Sequence, residues 1–322
     1  KTTVQLRTVF FNFRKKKIRV HISNSISQVH RLLSLPEPLH PLVSVIRITD
    51  IVPAENEVWE QFAVNFYSVS FKKEVAAKVK YGQQYYDFDK GTMSFTAPKQ
   101  VQAVASDEMD RFRNDCGNGY ILIFHPDFLT RHPLNTLIKN YGFFSYAVNE
   151  ALHLSEREER NVMEIFEKIK TEYQFIDRHT QDIILSQIDL LLNYCNRFYE
   201  RQFLTRKAVN HDLLTKIELL LNDYFDNKEP VTKGLPTVEY FAGELNLSAH
   251  YLSDMLRTLT GISAQQHIHE RLIEKAKEYL LTSNLSVAEI AYLLGFEYLQ
   301  SFNKLFKKKT DMSPLAFRQK FN

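Results

Sequence analysis

The chain has 322 residues, 44% of them hydrophobic and 25% charged, with a net charge of +3. That length allows two domains with ordinary cores, and that composition describes a globular chain rather than a polycation, so nucleic-acid binding has to come from a local patch. Two distant cysteines, Cys116 and Cys195, exclude a disulfide framework and a zinc spacing and fit a reducing cytosol.

No apolar run approaches the roughly 18 residues needed to cross a bilayer, so no membrane partner is expected. The basic run Arg14-Lys15-Lys16-Lys17 precedes a mixed segment, not a secretory apolar core. Residue 1 is Lys rather than Met, so a few N-terminal residues are expected to be missing.

From about Ser44 to Phe124 the pattern is strand-like. Val43-Ser-Val-Ile-Arg-Ile, Phe62-Ala-Val-Asn-Phe-Tyr-Ser-Val-Ser-Phe, Ala77-Lys-Val-Lys-Tyr, Gly91-Thr-Met-Ser-Phe-Thr and Gly119-Tyr-Ile-Leu-Ile-Phe are β-branched, aromatic or alternating. Turn signals separate them, which predicts an all-β sandwich or barrel. The period then changes. Pro126 to Lys139 reads as a helical turn and a helix. Ser155-Glu-Arg-Glu158 has capping-box spacing and opens a helix whose stripe is Val162, Ile165, Phe166, Ile169 and Tyr173. Asp182 to Tyr199 is apolar on most sides, and a helix apolar on most sides is buried on most sides. It reads either as a core helix or as a helix shared between the barrel and a second subunit, with Ile184, Leu191 and Tyr194 as the dimer positions. Glu200 to Asn210 is polar and basic and reads as a linker.

Helix resumes at Asp212, and then one motif occurs twice. Thr237-Val-Glu-Tyr-Phe-Ala-Gly-Glu-Leu-Asn-Leu-Ser-Ala-His-Tyr-Leu ends at Leu252, and Ser286-Val-Ala-Glu-Ile-Ala-Tyr-Leu-Leu-Gly-Phe-Glu-Tyr-Leu-Gln-Ser-Phe ends at Phe302. Each copy has a short apolar helix with a small residue, Ala242 or Ala291. Each turns at a residue that tolerates positive φ, Asn246 or Gly295. An apolar plug follows, Leu247 or Phe296. A second helix then shows apolar residues four apart, Leu252 with Leu256 and Phe302 with Phe306. This is the grammar of a helix-turn-helix, whose second helix is free to enter a DNA groove. A helix from about Ala264 to Thr282, opened by Ser263-Ala-Gln-Gln266, joins the two units, and Ser313-Pro314 opens a last short one.

Both recognition helices leave a polar face. In the first it is Ser248, His250, Ser253, Asp254 and Arg257; in the second it is Leu299, Gln300, Ser301, Asn303, Lys304 and Lys307. Gln, Asn, Arg and His read base edges, Leu packs on a thymine methyl, and Ser248 and Ser301 suit phosphates near helix N-termini. From Tyr298 to the C-terminus, Lys304, Lys307, Lys308, Lys309, Arg318 and Lys320 stand against Asp311 alone, a local charge of +5. Phosphate affinity is therefore expected mainly at the second unit. A lone lysine run is usually a solvated surface; this one extends a predicted recognition helix.

Residues 212 to 322 resemble the DNA-binding domain of the AraC family of bacterial transcription regulators. The matching residues are Ile290-Ala-Tyr-Leu-Leu-Gly-Phe-Glu, Ser301-Phe-Asn-Lys-Leu-Phe-Lys and Met312-Ser-Pro-Leu-Ala-Phe-Arg318. The resemblance implies two helix-turn-helix units joined by a rigid helix and entering successive major-groove segments. One departure is Asp311, where the family usually has Gly; a slightly strained turn is expected there. Tyr81-Gly-Gln-Gln-Tyr-Tyr-Asp-Phe and Gly91-Thr-Met-Ser-Phe-Thr-Ala-Pro-Lys-Gln are similar, more weakly, to the cupin-type sensor domains of many members.

These readings give an α+β multidomain chain. Residues 1–140 are expected to form a cupin-like effector-binding β-barrel, 141–205 a helical dimerisation region and linker, and 206–322 the DNA-binding domain. Trp59, Tyr67, Tyr81, Tyr85, Tyr86 and Phe95 are candidate linings of the effector cavity, or ordinary barrel core. No His-x-His pair, Gly-x-Ser-x-Gly, P-loop or dinucleotide fingerprint is present, so no catalytic residue, metal or cofactor is expected. The expected function is a cytoplasmic, dimeric, non-enzymatic transcription regulator gated by a small molecule, an activator or a repressor. Its expected partners are double-stranded DNA, a small-molecule effector, a second copy of itself and RNA polymerase. The alternatives are a cupin-like metal enzyme fused to a DNA-binding module, and a regulator whose barrel only dimerises.

Overall fold

The computed structural model describes residues 21–52, 62–73, 79–81, 84–86, 91–102, 118–147, 150–205, 207–227 and 229–321. Its strands are β1 (His21–Ser23), β2 (Val43–Arg47), β3 (Phe62–Val64), β4 (Tyr67–Lys73), β5 (Val79–Tyr81), β6 (Gln84–Tyr86), β7 (Thr92–Thr96), β8 (Asn118–Phe124) and β9 (Leu152–His153). In the N-terminal half the helices are α1 (Ile26–Leu32), α2 (Leu134–Leu137), α3 (Glu156–Gln174) and α4 (Thr180–Thr205). The C-terminal half adds α5 (Lys207–Asp226), α6 (Pro230–Lys233), α7 (Val238–Glu244), α8 (Ala249–Thr260), α9 (Ala264–Thr282), α10 (Val287–Leu293), α11 (Leu299–Thr310) and α12 (Pro314–Phe321).

The strand region was expected to close into a barrel, and among the described residues no closed barrel is found. Five strands form one antiparallel sheet in the order β2-β8-β4-β7-β9, while β1 pairs with β3 and β5 with β6 as separate ladders. Among the described residues helices cover the inner face of this sheet. Side chains alternate across the pleat, so Val69, Phe71, Met93, Phe95, Leu122 and Phe124 all point to one face. There they meet Val162, Ile165, Phe166 and Ile169 of α3 and Ile184, Ile188, Leu191 and Cys195 of α4. The opposite face, with Ile46 and Ile123, packs on Ile26 of α1 and on Phe66. Burial pushes the Cys195 thiol well above its usual range, which fits a packing role beside Met93.

The capping signals act where the sequence places them. Ser155 N–H donates to Glu158 Oε2 (2.8 Å) at the start of α3, and Ser286 N–H to Glu289 Oε2 (2.7 Å) at the start of α10. Each satisfies an orphan donor of the first turn. The expected linker from Glu200 to Asn210 is instead helical on both sides of residue 206: α4 runs to Thr205 and α5 begins at Lys207.

The dimer positions also need correcting. Ile184 and Leu191 are 0% exposed inside this chain, because α4 turns that face onto the sheet. Between Asp182 and Tyr199 its outward apolar residues are Ile183 and Leu190, both 42% exposed and seven apart, hence on one stripe. Tyr194 is half-buried, stacks on Phe198 and lies under the Arg197 guanidinium.

Two cores divide the helical half unequally. The sheet core runs on without a break through Phe203 of α4 into Phe241, Ala242, Tyr251, Leu252, Met255 and Leu256 of α7 and α8. The second core is separate and contains Ala276 and Leu280 of α9, Ile290 and Ala291 of α10, and Phe302 and Phe306 of α11.

Candidate nucleic-acid interface

Pairs α7–α8 and α10–α11 are built alike. Thr237 and Ser286 cap the first helices, and their side-chain oxygens accept from Tyr240 N (3.2 Å) and Glu289 N (3.2 Å). The turns pass through positive φ at Asn246 (55°) and Gly295 (89°). Ala242 and Ala291 are buried where the paired helices meet, a position that tolerates little beyond a methyl group. Asp311 ends α11 at φ 60°, in the left-handed region expected of that turn.

The second unit presents an open face. Gln300, Ser301, Lys304, Lys307 and Lys308 are exposed on α11, while Leu299 and Asn303 are half-buried. Lys304, Lys307 and Lys308 make no ion pair among the described residues, whereas Lys309 faces Glu270 at 3.9 Å. Arg318 leaves the predicted charge patch: its Nε and Nη2 donate to the carbonyls of Leu280 (3.0 Å) and Leu285 (2.7 Å) and so tie α12 to the end of α9. Burial, with Lys309 and Lys308 adding to it, holds His269 below the usual imidazole value. The field around α11 is thus positive even with Arg318 turned inward.

The first unit is different. His250 and Arg257 are exposed and Ser253 is half-buried, but Ser248 and Asp254 face the N-terminal half. Ser248 N–H and Oγ donate to the two carboxylate oxygens of Glu150 (2.7 and 2.6 Å). Tyr146 Oη donates to Asp254 Oδ2 (2.7 Å), whose other oxygen accepts from Arg257 (3.0 Å). Burial, together with the adjacent Asp254 carboxylate, raises the Tyr146 phenol far above its ordinary value, so it stays a donor.

Of the candidate effector linings, Phe95 is core, packed on Phe143, Phe144 and Tyr199. Tyr67 stacks on Phe124, and burial raises its phenol. Trp59 and the side chains of Tyr81, Tyr85 and Tyr86 lie outside the described residues. Among the described residues no group of three or more His, Cys, Asp or Glu stands in metal-binding arrangement, and no helix is long and apolar enough to cross a membrane.

Sequence reasoning passed over Tyr298, the N-cap of α11, whose ring is 67% exposed beside Gln300. An aromatic just before an amphipathic helix reads as packing, so no local signal marked it. Glu150 and Tyr146 were also passed over, because contacts about a hundred residues apart leave no local pattern.

Two helix-turn-helix units joined through one helix define the C-terminal part as a tandem helix-turn-helix domain. Comparison with known proteins agrees: the family model of a helix-turn-helix domain matches residues 241–320. An uncharacterized HTH-type transcriptional regulator of Bacillus subtilis (strain 168), YfiF, is 29% identical over 136 residues, 42% of this chain and 40% of that protein. The HTH-type transcriptional activator RhaS of Klebsiella pneumoniae (strain 342) is 28% identical over 141 residues, 44% of this chain and 46% of that one. Among solved structures, the C-terminal domain of the response regulator yesN from Fusobacterium nucleatum is 32% identical, with 31% of this chain and 96% of that chain covered at a TM-score of 0.28. The chain spans less than half the length of these curated relatives. Residues 241–320 of the C-terminal part thus form a helix-turn-helix domain.

Proposed function

We propose that the protein is a sequence-specific, DNA-binding transcription regulator that acts in the cytoplasm as a dimer and is gated by a small molecule. The observation that carries this reading is the open, positive face of α11, with Gln300 and Ser301 beside Lys304 and Lys307, which make no ion pair among the described residues, on a helix-turn-helix scaffold. Lysines supply phosphate affinity, and Gln300 has the donor and acceptor pair that reads an adenine edge.

Selection of duplexes from a random pool by the full chain tests it; failure to enrich any sequence defeats the reading. On an enriched site, replacing Lys304 and Lys307 with Ala should weaken binding to all duplexes and lower the salt slope by about one ion per lost phosphate contact. Gln300→Ala should instead cost about 1–3 kcal/mol on the enriched site and almost nothing on random DNA. Equal losses on both would show that Gln300 reads no base.

The sensor half has a concave pocket of about 340 Å³ lined by Phe71, Tyr120 and Met163, with Arg47, Lys73 and Asn118 among its polar groups. Its size suits a small ligand, and Arg47 offers a cation to an acidic one, whereas Lys73 is ion-paired with Glu159 (3.1 Å). Thermal-shift screening of small carboxylates against the full chain tests this. For the dimer, the Ile183–Leu190 stripe of α4 is the matching surface. Leu190→Glu should give a folded monomer in sedimentation; an unmodified chain already monomeric at micromolar concentration removes the dimer.

A further inference from the structure

We propose that the N-terminal half holds the first helix-turn-helix unit shut, with the Glu150 carboxylate standing where a DNA phosphate would sit at the N-terminus of α8. The proposal rests on the DNA-binding reading above.

Glu150 is only 1% exposed, and three donors converge on it: Ser248 N–H (2.7 Å), Ser248 Oγ (2.6 Å) and Ala147 N–H (2.6 Å). A carboxylate and a phosphate present the same thing to a helix N-terminus, namely anionic oxygens accepting from backbone N–H and from the cap hydroxyl. Ser248 has one free N–H and one hydroxyl proton, and both are committed to Glu150. A phosphate and Glu150 therefore compete for the same donors.

The contact extends along the helix. One turn on, Asp254 accepts from Tyr146 Oη (2.7 Å), and the backbone at Gly142 comes so near that a Cβ there would lie 2.2 Å from Asp254 Oδ2. Tyr251 is buried edge-on between Tyr146 (5.2 Å) and Phe203 (5.1 Å). Ser248, Tyr251 and Asp254 lie three apart, so one stripe of α8 faces protein along its first two turns. Among the described residues nothing comparable covers α11. The two units share a sequence grammar, and their surroundings differ.

The covering segment is itself anchored to the sheet. Phe143 packs on Phe95 (4.4 Å) and stacks on Tyr199 (5.6 Å), and Tyr199 Oη donates to the Glu150 carbonyl (3.1 Å). Release of α8 therefore requires residues 142–147 and Glu150 to leave both the helix and the sheet core, or the whole first unit to swing away from them. The second unit, with its separate core, is free to engage DNA first.

The test uses the full chain with Glu150→Ala and, separately, Tyr146→Phe, which deletes one hydroxyl and serves where Glu150→Ala fails to fold. The probe is a labelled random-sequence duplex of about 40 bp, long enough for two successive groove segments. Each variant should bind on the order of tenfold more tightly than the unmodified chain, with a steeper salt dependence from the added phosphate contacts. Amide exchange in residues 248–254 should rise in both. Folded variants with unchanged affinity and unchanged exchange would overturn the latch while leaving the DNA-binding reading intact. If neither the unmodified chain nor a variant binds the duplex, the DNA-binding reading itself falls, and the latch as a DNA gate falls with it.

Discussion

Gly295→Ala should cost about 2–5 kcal/mol of folding stability. Two terms add. Gly295 sits at φ 89°, where an L side chain costs about 1–2 kcal/mol. A Cβ there would also lie 2.6 Å from the carbonyl carbon of Gly234 and 2.8 Å from Leu235 N. Those are backbone atoms, which cannot swing aside as a side chain would, and overpacking of this kind typically costs about 1–3 kcal/mol. Gly261 separates the terms. Its φ is 83°, and nothing lies within 4 Å of the corresponding Cβ. Gly261→Ala should therefore lose only the conformational part, about 1–2 kcal/mol. Urea unfolding of the two variants measures the difference; equal losses would show that the Gly234 contact carries no weight.

Leu191→Glu should leave little folded protein. The side chain is fully buried between α4 and the sheet, so the variant loses a packed leucine, worth about 2–5 kcal/mol, and places a carboxyl group among apolar atoms. Together these approach the whole stability of an ordinary domain, about 5–15 kcal/mol. Loss of the thermal transition in near-ultraviolet circular dichroism is the expected readout. A folded, soluble variant would mean that α4 is turned the other way. Leu190→Glu, one residue earlier and 42% exposed within the chain, should keep a cooperative thermal transition, since it buries no charge inside the fold.

That neighbouring pair shows where a sequence stops being legible. From Asp182 to Tyr199 the polar residues Asp182, Ser186, Asp189, Asn193 and Arg197 recur on one narrow stripe, while Ile183, Leu190 and Tyr194 at its edges are apolar too, so the sequence leaves the edge positions of the buried face ambiguous. In α3 the pattern is cleaner. Val162, Ile165, Phe166, Ile169 and Tyr173 form one stripe among charged residues, and all five are buried. The polar face of α3 is wider than that of α4, so fewer of its positions are ambiguous. The strands were readable as strands because β-branched and aromatic residues alternate. Barrel and open sheet share that alternation, and which one forms depends on what covers the inner face. Here α3 and α4 do.

The C-terminal half was the most legible part. Capping residues, the small residue between paired helices, the positive-φ turn and the apolar seam all lie within a few residues of one another, and local chemistry is enough to build each unit. Even so, two turns of the same grammar use Asn246 and Gly295. Asn246 is exposed and tolerates positive φ, while Gly295 is pressed against the Gly234 backbone, a neighbour that only the folded chain brings near. The same holds for the recognition helices. Each was expected to offer a polar face, and the side chains that make that face are written in the sequence. Whether the face meets water or protein is set by residues far away in the chain. Glu150 and Tyr146 cover α8 because the sheet core continues into the first unit, and the separate core of the second leaves α11 open.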